Sequence, residues 1–348
     1  MKVLLTGATG FVGSEIARQL VREGHEVRVL VRKTSKLDGL AGLRYEKQEG
    51  DILDRASVMR ALEGVDALIH AAANVSARPR DKESIFRSNV EGTRTVLEAA
   101  RDRDGKLRVV YTSSVAAIGA KPTPVPHDEE TAVWQGGRGY HYIDAKKQAE
   151  ELALDLAKKG LDLVVLNPGF VLGPGDVYLG STRMVLEFLR GRLGWITSGG
   201  LTFCDVREVA RAHVAALTRG RAGERYIVAG VNKTNVEALG EIARLTGLPR
   251  PKQAPYPIAW FFGLASETVA LFKEHSLEEV NRPLVRYSAL YNFTDCKKAE
   301  RELGYTTRPF EETVRDTVKD FLARGLIEPT TDELRALAGV SKPEPVTV

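Results

Sequence analysis

A glycine-rich turn close to the N-terminus constrains the fold more than any other feature of this sequence. The apolar run at residues 2–6 predicts a first strand, and it continues directly into Thr6-Gly7-Ala8-Thr9-Gly10-Phe11-Val12-Gly13 before a helical pattern begins. In such a turn one glycine allows the tight bend, one lets the backbone approach a pyrophosphate, and one allows close helix packing. Free N–H groups at the start of the helix then face the phosphates. The turn therefore predicts a dinucleotide site that includes Gly7, Thr9, Gly10, Phe11, Val12 and Gly13.

Short apolar runs alternate with longer amphipathic segments through the first two-thirds of the chain, which is typical of βαβ units around a parallel sheet. The predicted strands are residues 2–6, 26–31, 67–73, 108–113, 163–166 and 224–229, and the predicted helices are 15–23, 56–62, 84–101 and 144–159. Right-handed crossovers place helices on both faces of the sheet. We therefore expect an α/β fold with a doubly wound parallel sheet of the Rossmann type. This setting favours dinucleotide binding by the glycine-rich turn over an ordinary strand-to-helix connection.

The alternation loosens after residue 166, where glycine- and proline-rich connections follow. Helices predicted at residues 182–190, 234–246, 256–272 and 310–323 indicate a smaller, mostly helical C-terminal lobe that binds substrate. The predicted division is a dinucleotide-binding domain of residues 1–173, to which residues 202–230 return, a substrate lobe of residues 174–201 and 231–329, and a flexible tail of residues 330–348.

The end of the second predicted strand carries a cation where NAD-binding proteins place an acid. A carboxylate at this position would hold the ribose 2′-hydroxyl, but the sequence has Val31 and Arg32 there. A guanidinium suits a 2′-phosphate by bidentate pairing, and Lys33 and Lys36 add positive charge. A solvated basic loop is the simpler alternative. Because the missing acid and the added cation both favour a 2′-phosphate, we expect NADP(H) rather than NAD(H) as the cofactor, with Arg32 and Lys36 contacting it.

Tyr142 and Lys146 are the candidate proton-transfer pair. They lie four residues apart on a predicted helix and therefore share one face. A free tyrosine has a pKa of about 10, and a neighbouring ammonium is expected to lower it by stabilising the phenolate. A chance pair on an exposed helix is the alternative. Tyr140 has Asp144 at the same spacing and lacks such a partner.

A hydroxyl at the carboxyl end of the strand at residues 108–113 would complete this group, because open α/β sheets bind ligands at that edge. Ser114 is the favoured residue, since its hydroxyl could donate to a substrate oxygen beside Tyr142. Ser113 could carry the role instead, and ordinary strand-end capping explains both serines equally well.

Together these residues resemble the extended short-chain dehydrogenase/reductase superfamily over roughly residues 1–325, because the glycine turn, the Tyr111-Thr112-Ser113-Ser114 strand end and Tyr142-x-x-x-Lys146 follow its order and spacing. The resemblance implies adenine-side contacts from Asp51 and Ile52 and a counterpart of the family's helix asparagine at Asn89. It also implies cofactor contacts from Ala71, Ala72, Ala73, Thr112, Tyr142, Lys146, Pro168, Gly169 and Phe170.

Within the superfamily, the chain resembles bacterial sugar-nucleotide epimerases and dihydroflavonol-4-reductase-like enzymes. The epimerases carry an arginine that grips the substrate diphosphate, and Leu201 stands at about that position here. An apolar side chain cannot pair with a diphosphate. The absence of an acid after the second strand also departs from the NAD-using epimerases. Both departures favour an NADP(H)-dependent oxidoreductase that reduces a carbonyl of a small, hydrophobic substrate.

Two other functions are weighed against carbonyl reduction. The first is a nucleotide-sugar epimerase or dehydratase with tightly bound NAD(P), in which Arg183, Arg190 and Arg192 would replace the missing diphosphate contact. The second is a non-catalytic dinucleotide-sensing scaffold. The intact Ser-Tyr-Lys group argues against it, because a sensor has no need of a proton donor.

Composition restricts partners and location. A net charge of +4 on 348 residues, with bases and acids interleaved, excludes a dedicated nucleic-acid surface. Cys204 and Cys296 are the only cysteines and lack disulfide or zinc spacing, which fits a reducing cytoplasm and no metal. No apolar run reaches the length of a membrane span, and three apolar residues at the start are too few for a signal peptide. The expected partner is a small-molecule substrate.

Two segments suggest further contacts. The apolar run at residues 257–265 would line a hydrophobic substrate pocket or touch a membrane, but packing in the core of the smaller lobe is the preferred interpretation, so membrane contact is not expected. The predicted helices at residues 84–101 and 144–159 resemble those that form a homodimer contact in relatives. Alternatively, they merely cover the sheet.

Overall fold

The computed structural model describes residues 1–103, 107–131, 133, 139–270 and 280–340. Its strands are β1 (Lys2–Thr6), β2 (Glu26–Val31), β3 (Glu46–Glu49), β4 (Ala67–His70), β5 (Arg108–Thr112), β6 (Leu163–Pro168), β7 (Phe170–Leu172), β8 (Trp195–Ile196), β9 (Gly200–Asp205), β10 (Arg225–Val228), β11 (Val231–Thr234), β12 (Lys252–Gln253) and β13 (Tyr291–Asn292).

The α-helices are α1 (Phe11–Arg22), α2 (Arg55–Leu62), α3 (Lys82–Phe86), α4 (Gly92–Arg101), α5 (Val115–Ile118), α6 (His141–Lys158), α7 (Arg183–Leu189), α8 (Val206–Arg219), α9 (Asn235–Thr246), α10 (Tyr256–Ala270), α11 (Arg282–Ser288), α12 (Lys297–Leu303), α13 (Phe310–Ala323) and α14 (Asp332–Ala338). The predicted helix at residues 84–101 is interrupted by a π-helical turn at Arg87–Glu91. None of the helices in the described part of the chain is both long and apolar enough to cross a membrane.

Seven parallel strands form the central sheet in the order β10-β6-β5-β4-β1-β2-β3. The chain runs outward from β1 to β3 and then returns to β4 on the other side of β1, which makes the β1/β4 junction the topological switch point. Strands β4 and β6 are buried throughout, as expected for a parallel sheet with helices on both faces. The structure confirms the predicted doubly wound α/β fold, and ligands of such folds bind outside the carboxyl ends of the strands at the switch point.

A second, smaller sheet lies between the two parts of the molecule. Strand β9 pairs with β7 and β13 in parallel and with β11 in antiparallel orientation. The sequence assigned residues 170–172 and 202–205 to the dinucleotide-binding domain, but they belong to this second sheet. Helix α8 and strand β10, which follow β9, do return to the central domain. Short strands of this kind depend on distant pairing partners, and the sequence pattern alone does not reveal those partners.

The last described helix corrects the predicted tail. Helix α14 is capped by Thr331, whose hydroxyl accepts a hydrogen bond from the Leu334 N–H at 3.1 Å, and it ends at Gly339 in the left-handed conformation. Leu334 is buried in the core of the smaller lobe. Residues 332–338 are therefore anchored by a cap and an apolar contact. The final residues, 341–348, lie outside the described part of the chain.

Candidate active site

The glycine turn is shaped by two close backbone approaches. Gly7 has a φ of +74°, and a Cβ there would lie 2.5 Å from the carbonyl carbon of Ala71. A Cβ on Gly13 would lie 2.1 Å from the Gly7 oxygen. Any larger residue at either position would displace the backbone, so the turn depends on glycine at both.

The start of helix α1 fits an anionic ligand. Its N-cap is Gly10, which has no side chain to accept hydrogen bonds from the first N–H groups, and the first turn carries no acid. The Gly10 N–H itself donates to the Gly7 oxygen at 2.9 Å. Unsatisfied N–H groups and the positive end of the helix dipole attract phosphate. The residues present therefore fit the pyrophosphate of a dinucleotide, beside the switch point of the sheet.

Asp51 and Ile52 follow strand β3 along the same edge of the sheet. The Asp51 carboxylate accepts a hydrogen bond from the Leu53 N–H at 3.0 Å, and its backbone N–H donates to Ser57 Oγ at 3.0 Å. Ile52 packs against Gly92, where a Cβ would lie 2.6 Å from its Cδ1 atom. These contacts fix the local backbone. The adenine-side role of both residues stays a prediction.

Arg32 and Lys36 lie beyond strand β2, next to the glycine turn because β2 pairs with β1. Both side chains are exposed, and neither forms a salt bridge with any other described residue. The turn that carries them is closed by a hydrogen bond from the Arg32 N–H to Ser35 Oγ at 3.1 Å. Two cations without ion-pair partners are thus held beside the predicted ribose position.

Ser114 and Tyr142 meet at the carboxyl edge of β5. Ser114 caps helix α5, and its Oγ accepts a hydrogen bond from the Ala116 N–H at 3.2 Å. A hydrogen bond with the Ser114 side chain lowers the pKa of Tyr142, but burial has the larger effect and raises that pKa overall. Ser113, by contrast, is buried, and its hydroxyl has no partner among the described residues. Of the two candidate serines, the structure brings Ser114 to the tyrosine.

The expectation that Lys146 lowers the pKa of Tyr142 is not met. The Lys146 Nζ atom donates to the Thr112 carbonyl oxygen at 2.9 Å and lies 5.4 Å from the centre of the Tyr111 ring. Burial lowers the pKa of Lys146 to about 8, and the nearby Glu150 carboxylate partly opposes this change. The lysine ammonium is thus hydrogen-bonded to the backbone of Thr112, and burial has the largest effect on the pKa of both Tyr142 and Lys146.

Thr112 is used twice within the protein. Besides accepting from Lys146, it pairs through its hydroxyl with Nε2 of the buried His213 at 2.8 Å. Burial lowers the pKa of His213 to about 4, so this imidazole is neutral at physiological pH. The predicted contact between Thr112 and the cofactor stays a prediction, and what the structure shows is a positioning role.

A buried polar network that the sequence analysis missed lies behind the lysine. Glu150 accepts a hydrogen bond from the Asn167 amide nitrogen at 2.5 Å and an ion pair from Arg225 at 3.0 Å. The same Asn167 nitrogen donates to the Ser114 carbonyl oxygen at 2.9 Å. The network therefore links the serine to the helix that carries the tyrosine and the lysine. The spacing of 142, 146 and 150 on one helix face was the available signal.

The segment after β6 turns sharply toward the smaller lobe. A Cβ on Gly169 would lie 2.6 Å from the Thr202 oxygen, so the backbone passes directly over β9. The ring of Phe170 packs edge-on against Phe203 at 5.6 Å between ring centres. This side chain belongs to the packing of the smaller lobe. Cofactor contact by Pro168, Gly169 and Phe170 stays a prediction.

The arginines considered as substitutes for a diphosphate contact are already engaged. Arg190 donates to the Leu326 carbonyl oxygen at 3.0 Å, and both Arg190 and Arg192 pair with Glu187. Arg183 donates to the Leu179 carbonyl oxygen at 3.1 Å. Leu201 lies in β9 opposite Lys233, whose ammonium binds Glu241 at 2.7 Å. Among the described residues, these three arginines are therefore held by contacts within the protein.

His70, Cys204 and Cys296 are buried residues of types that bind metals or act as reactive thiols. The buried His70 is held between Thr6 at 2.6 Å and Thr93 at 3.1 Å, and burial lowers its pKa to about 3. Cys204 and Cys296 are buried, and burial raises the pKa of each thiol, to about 12 for Cys296. Within the described ranges, no group of three or more histidines, cysteines or acids could hold a metal.

Fold and site together define an NAD(P)-dependent enzyme of the extended short-chain dehydrogenase/reductase kind. A glycine cradle at the switch point of a doubly wound sheet, with a tyrosine and a lysine at the same edge, is the arrangement of that class. The chain belongs to the NAD dependent epimerase/dehydratase family, whose model matches residues 3–229.

Individual relatives extend over nearly the whole chain. The protein is 34% identical to Sterol demethylase protein B of Methylococcus capsulatus, with 94% of this chain and 100% of the relative covered. It is 35% identical to a putative dihydroflavonol 4-reductase of Synechocystis, with 93% and 95% covered. The crystal structure of gox2253 is 34% identical and superimposes with a TM-score of 0.82, covering 94% of this chain and 99% of that one.

Proposed function

We propose that this protein reduces a carbonyl group on a small, hydrophobic substrate with NADPH, and that Tyr142 donates the proton. The observation that carries the proposal is the position of Tyr142 beside Ser114 at the carboxyl edge of β5, the edge of the sheet that also holds the glycine turn. A tyrosine phenol is protonated at neutral pH, so it can donate its proton. Reduction needs an acid at the substrate oxygen, whereas oxidation needs a base.

The chain's own groups have separate tasks in this mechanism. NADPH, when bound, supplies a hydride to the carbonyl carbon. The Tyr142 hydroxyl gives its proton to the carbonyl oxygen, and the Ser114 hydroxyl holds that oxygen in place. Lys146, one helical turn away from Tyr142, holds the Thr112 carbonyl oxygen and so positions the end of β5 beside the tyrosine. Asn167 holds the Ser114 carbonyl, so the serine backbone is fixed while the proton moves.

A small apolar substrate is supported by the described side chains that were considered as diphosphate contacts. Leu201 is apolar, and Arg190 and Arg192 are paired with Glu187. The names of the two curated relatives point the same way, one being a reductase and the other named for sterols. We further propose that the partner is this substrate rather than nucleic acid and that the protein works in the cytoplasm. Dimerisation through α4 and α6 stays a prediction that analytical sedimentation tests.

Replacement of Tyr142 by phenylalanine tests the reaction. We expect Tyr142→Phe to lower NADPH consumption with a panel of hydrophobic ketones by roughly 100- to 10,000-fold, since only the proton donor is removed. Cofactor binding, measured by fluorescence titration, should be unchanged. Tyr140→Phe is the matched control, because its ring lies 6.1 Å from that of Tyr142. Full turnover in Tyr142→Phe would refute the assignment.

Replacement of Arg32 tests the cofactor preference. A charge-assisted hydrogen bond to the 2′-phosphate is worth about 1.5–3 kcal/mol, so Arg32→Gln should weaken NADPH binding by roughly 10- to 100-fold. Binding of NADH should change little. The exposed Arg60 on α2 provides the control Arg60→Gln, which should leave both dissociation constants unchanged. A wild-type preference for NADH would overturn the choice of cofactor.

A nucleotide-sugar epimerase or dehydratase is the second candidate, and the family name supports it. Such an enzyme retains its dinucleotide through the cycle and shows no net consumption. The purified protein would then carry a bound dinucleotide, which denaturation would release and which the ultraviolet absorbance of its adenine ring would detect. Turnover of a UDP-sugar without NADPH consumption would favour this candidate over carbonyl reduction.

A further inference from the structure

The outer face of helix α10 is unusually apolar. Side chains exposed along it are Phe261 at 63%, Ile258 at 56%, Phe262 at 53% and Val269 at 48%. Together with the exposed Ala265, they recur at the spacing of one helix face. The interpretation preferred from the sequence, packing in the core of the smaller lobe, is wrong for these side chains. We call them the α10 face.

The opposite side of the same helix is held firmly by α11. A Cβ on Gly263 would lie 3.0 Å from the Arg282 backbone nitrogen, so the backbones of α10 and α11 are in close contact. Glu267 is the one charged residue of α10, and it binds Arg282 at 2.7 Å. The Arg282 guanidinium in turn lies 5.5 Å from the centre of the Trp260 ring. The charge of the helix therefore faces the protein, and the apolar side is fixed toward solvent.

Exposed aromatic and basic residues occur in the short sheet whose strand β12 directly precedes helix α10 in the chain. Trp195 is 54% exposed and pairs in register with Lys252, whose ammonium lies 6.0 Å from the indole ring. Arg250 is exposed beside them, and Tyr256 at the first turn of the helix is 45% exposed. Tryptophan, tyrosine and lysine are the residues that favour the boundary between lipid headgroups and acyl chains.

The α10 face is also joined to the candidate active site. Helix α11, which packs against α10, carries Tyr287, and the ring of Tyr287 lies 5.9 Å from that of Tyr140. Asn281, at the start of α11, donates to the Ala77 carbonyl oxygen at 2.9 Å. Helix α10 is therefore connected through α11 to the residues around Tyr142.

We propose that the α10 face binds the surface of an anionic lipid bilayer, lying in the interface without crossing it. An apolar helix face flanked by basic residues is the arrangement that partitions into an anionic interface. The five side chains of the face are all apolar, and the exposed Thr268 beside them donates its hydroxyl hydrogen bond to the Leu264 carbonyl oxygen of its own helix. The basic and aromatic residues of the short sheet supply the complementarity to anionic headgroups. This proposal rests on surface geometry and is independent of the proposed reaction.

Vesicle flotation with the full chain tests the proposal. Wild-type protein should float with vesicles of phosphatidylcholine and phosphatidylglycerol at low salt and much less with phosphatidylcholine alone. The double substitution Phe261→Ser and Phe262→Ser should reduce the bound fraction at least tenfold on both vesicle types, because it removes most of the inserted apolar area. Lys252→Gln should weaken binding to the anionic vesicles about fivefold, and this difference should vanish at high salt.

Two controls separate the proposal from its alternatives. Val340→Ser changes an exposed apolar residue at the end of α14 and should leave flotation unchanged. NADPH binding should be intact in the double variant, which shows that it is folded. Absence of wild-type flotation, or equal flotation of the double variant, would overturn the proposal. A wild-type dimer that dissociates in the double variant during sedimentation would identify the α10 face as a self-association surface and overturn it as well.

Discussion

The buried ammonium of Lys146 should make the protein less stable, and Lys146→Met removes it with a side chain of similar length. Burial lowers the pKa of this lysine from its ordinary value of 10.5 to about 8, despite the opposing effect of Glu150. The side chain is almost fully buried, at 3% exposure, so little solvent screening reduces the effect. Because folding lowers the pKa of this amine, the folded state disfavours its charged form relative to the unfolded state.

The size of the effect follows from the two pKa values. The gap between 10.5 and about 8, at 1.36 kcal/mol per pKa unit, corresponds to about 3 kcal/mol. Below pH 8 both states are protonated and the full destabilisation is present. It declines as the pH rises from about 8 to 10.5, because the folded state loses its proton first. The variant loses the charge-assisted hydrogen bond to Thr112, which is worth about 1.5 kcal/mol at the lower end of the usual range, so we expect Lys146→Met to be about 1.5 kcal/mol more stable at pH 7.

Urea unfolding of the cofactor-free protein at pH 7 and pH 10 measures this difference. The stability of Lys146→Met relative to wild type should fall by about 2 kcal/mol between the two pH values. Lys158→Met is the control, since its side chain is 78% exposed and no such change is expected. A Lys146→Met variant that is less stable than wild type at pH 7, or whose difference from wild type does not depend on pH, would refute the reasoning.

Two further substitutions test the supporting structure. Glu150→Gln removes the carboxylate that raises the pKa of Lys146. The alkaline limb of the pH–rate profile of carbonyl reduction should therefore move to lower pH. An unchanged alkaline limb would contradict this coupling. Leu334→Ala should lower the free energy of unfolding in urea by about 2–5 kcal/mol, because this leucine is 1% exposed in the core of the smaller lobe. Leu337 is only partly buried, so Leu337→Ala should lower it less. Equal and negligible effects of the two substitutions would mean that α14 is not anchored.

Local pattern was sufficient for the central fold and for part of the site. The glycine turn, the spacing of Tyr142 and Lys146, and the strand pattern depend on residues close in sequence, and the bounds of β1, β2 and α13 agree with those predicted. These features can be predicted from the sequence because steric limits on the backbone and helix periodicity act over only a few residues.

Only the tertiary structure decided what each side chain faces. It assigned the Tyr142 contact to Ser114 rather than Ser113, directed Lys146 to the Thr112 carbonyl, and showed that burial raises the pKa of Tyr142. It also assembled Glu150, Asn167 and Arg225 and left the α10 face open to solvent. Periodicity indicates that one face of a helix is apolar, but whether protein, lipid or water meets that face depends on distant segments of the chain.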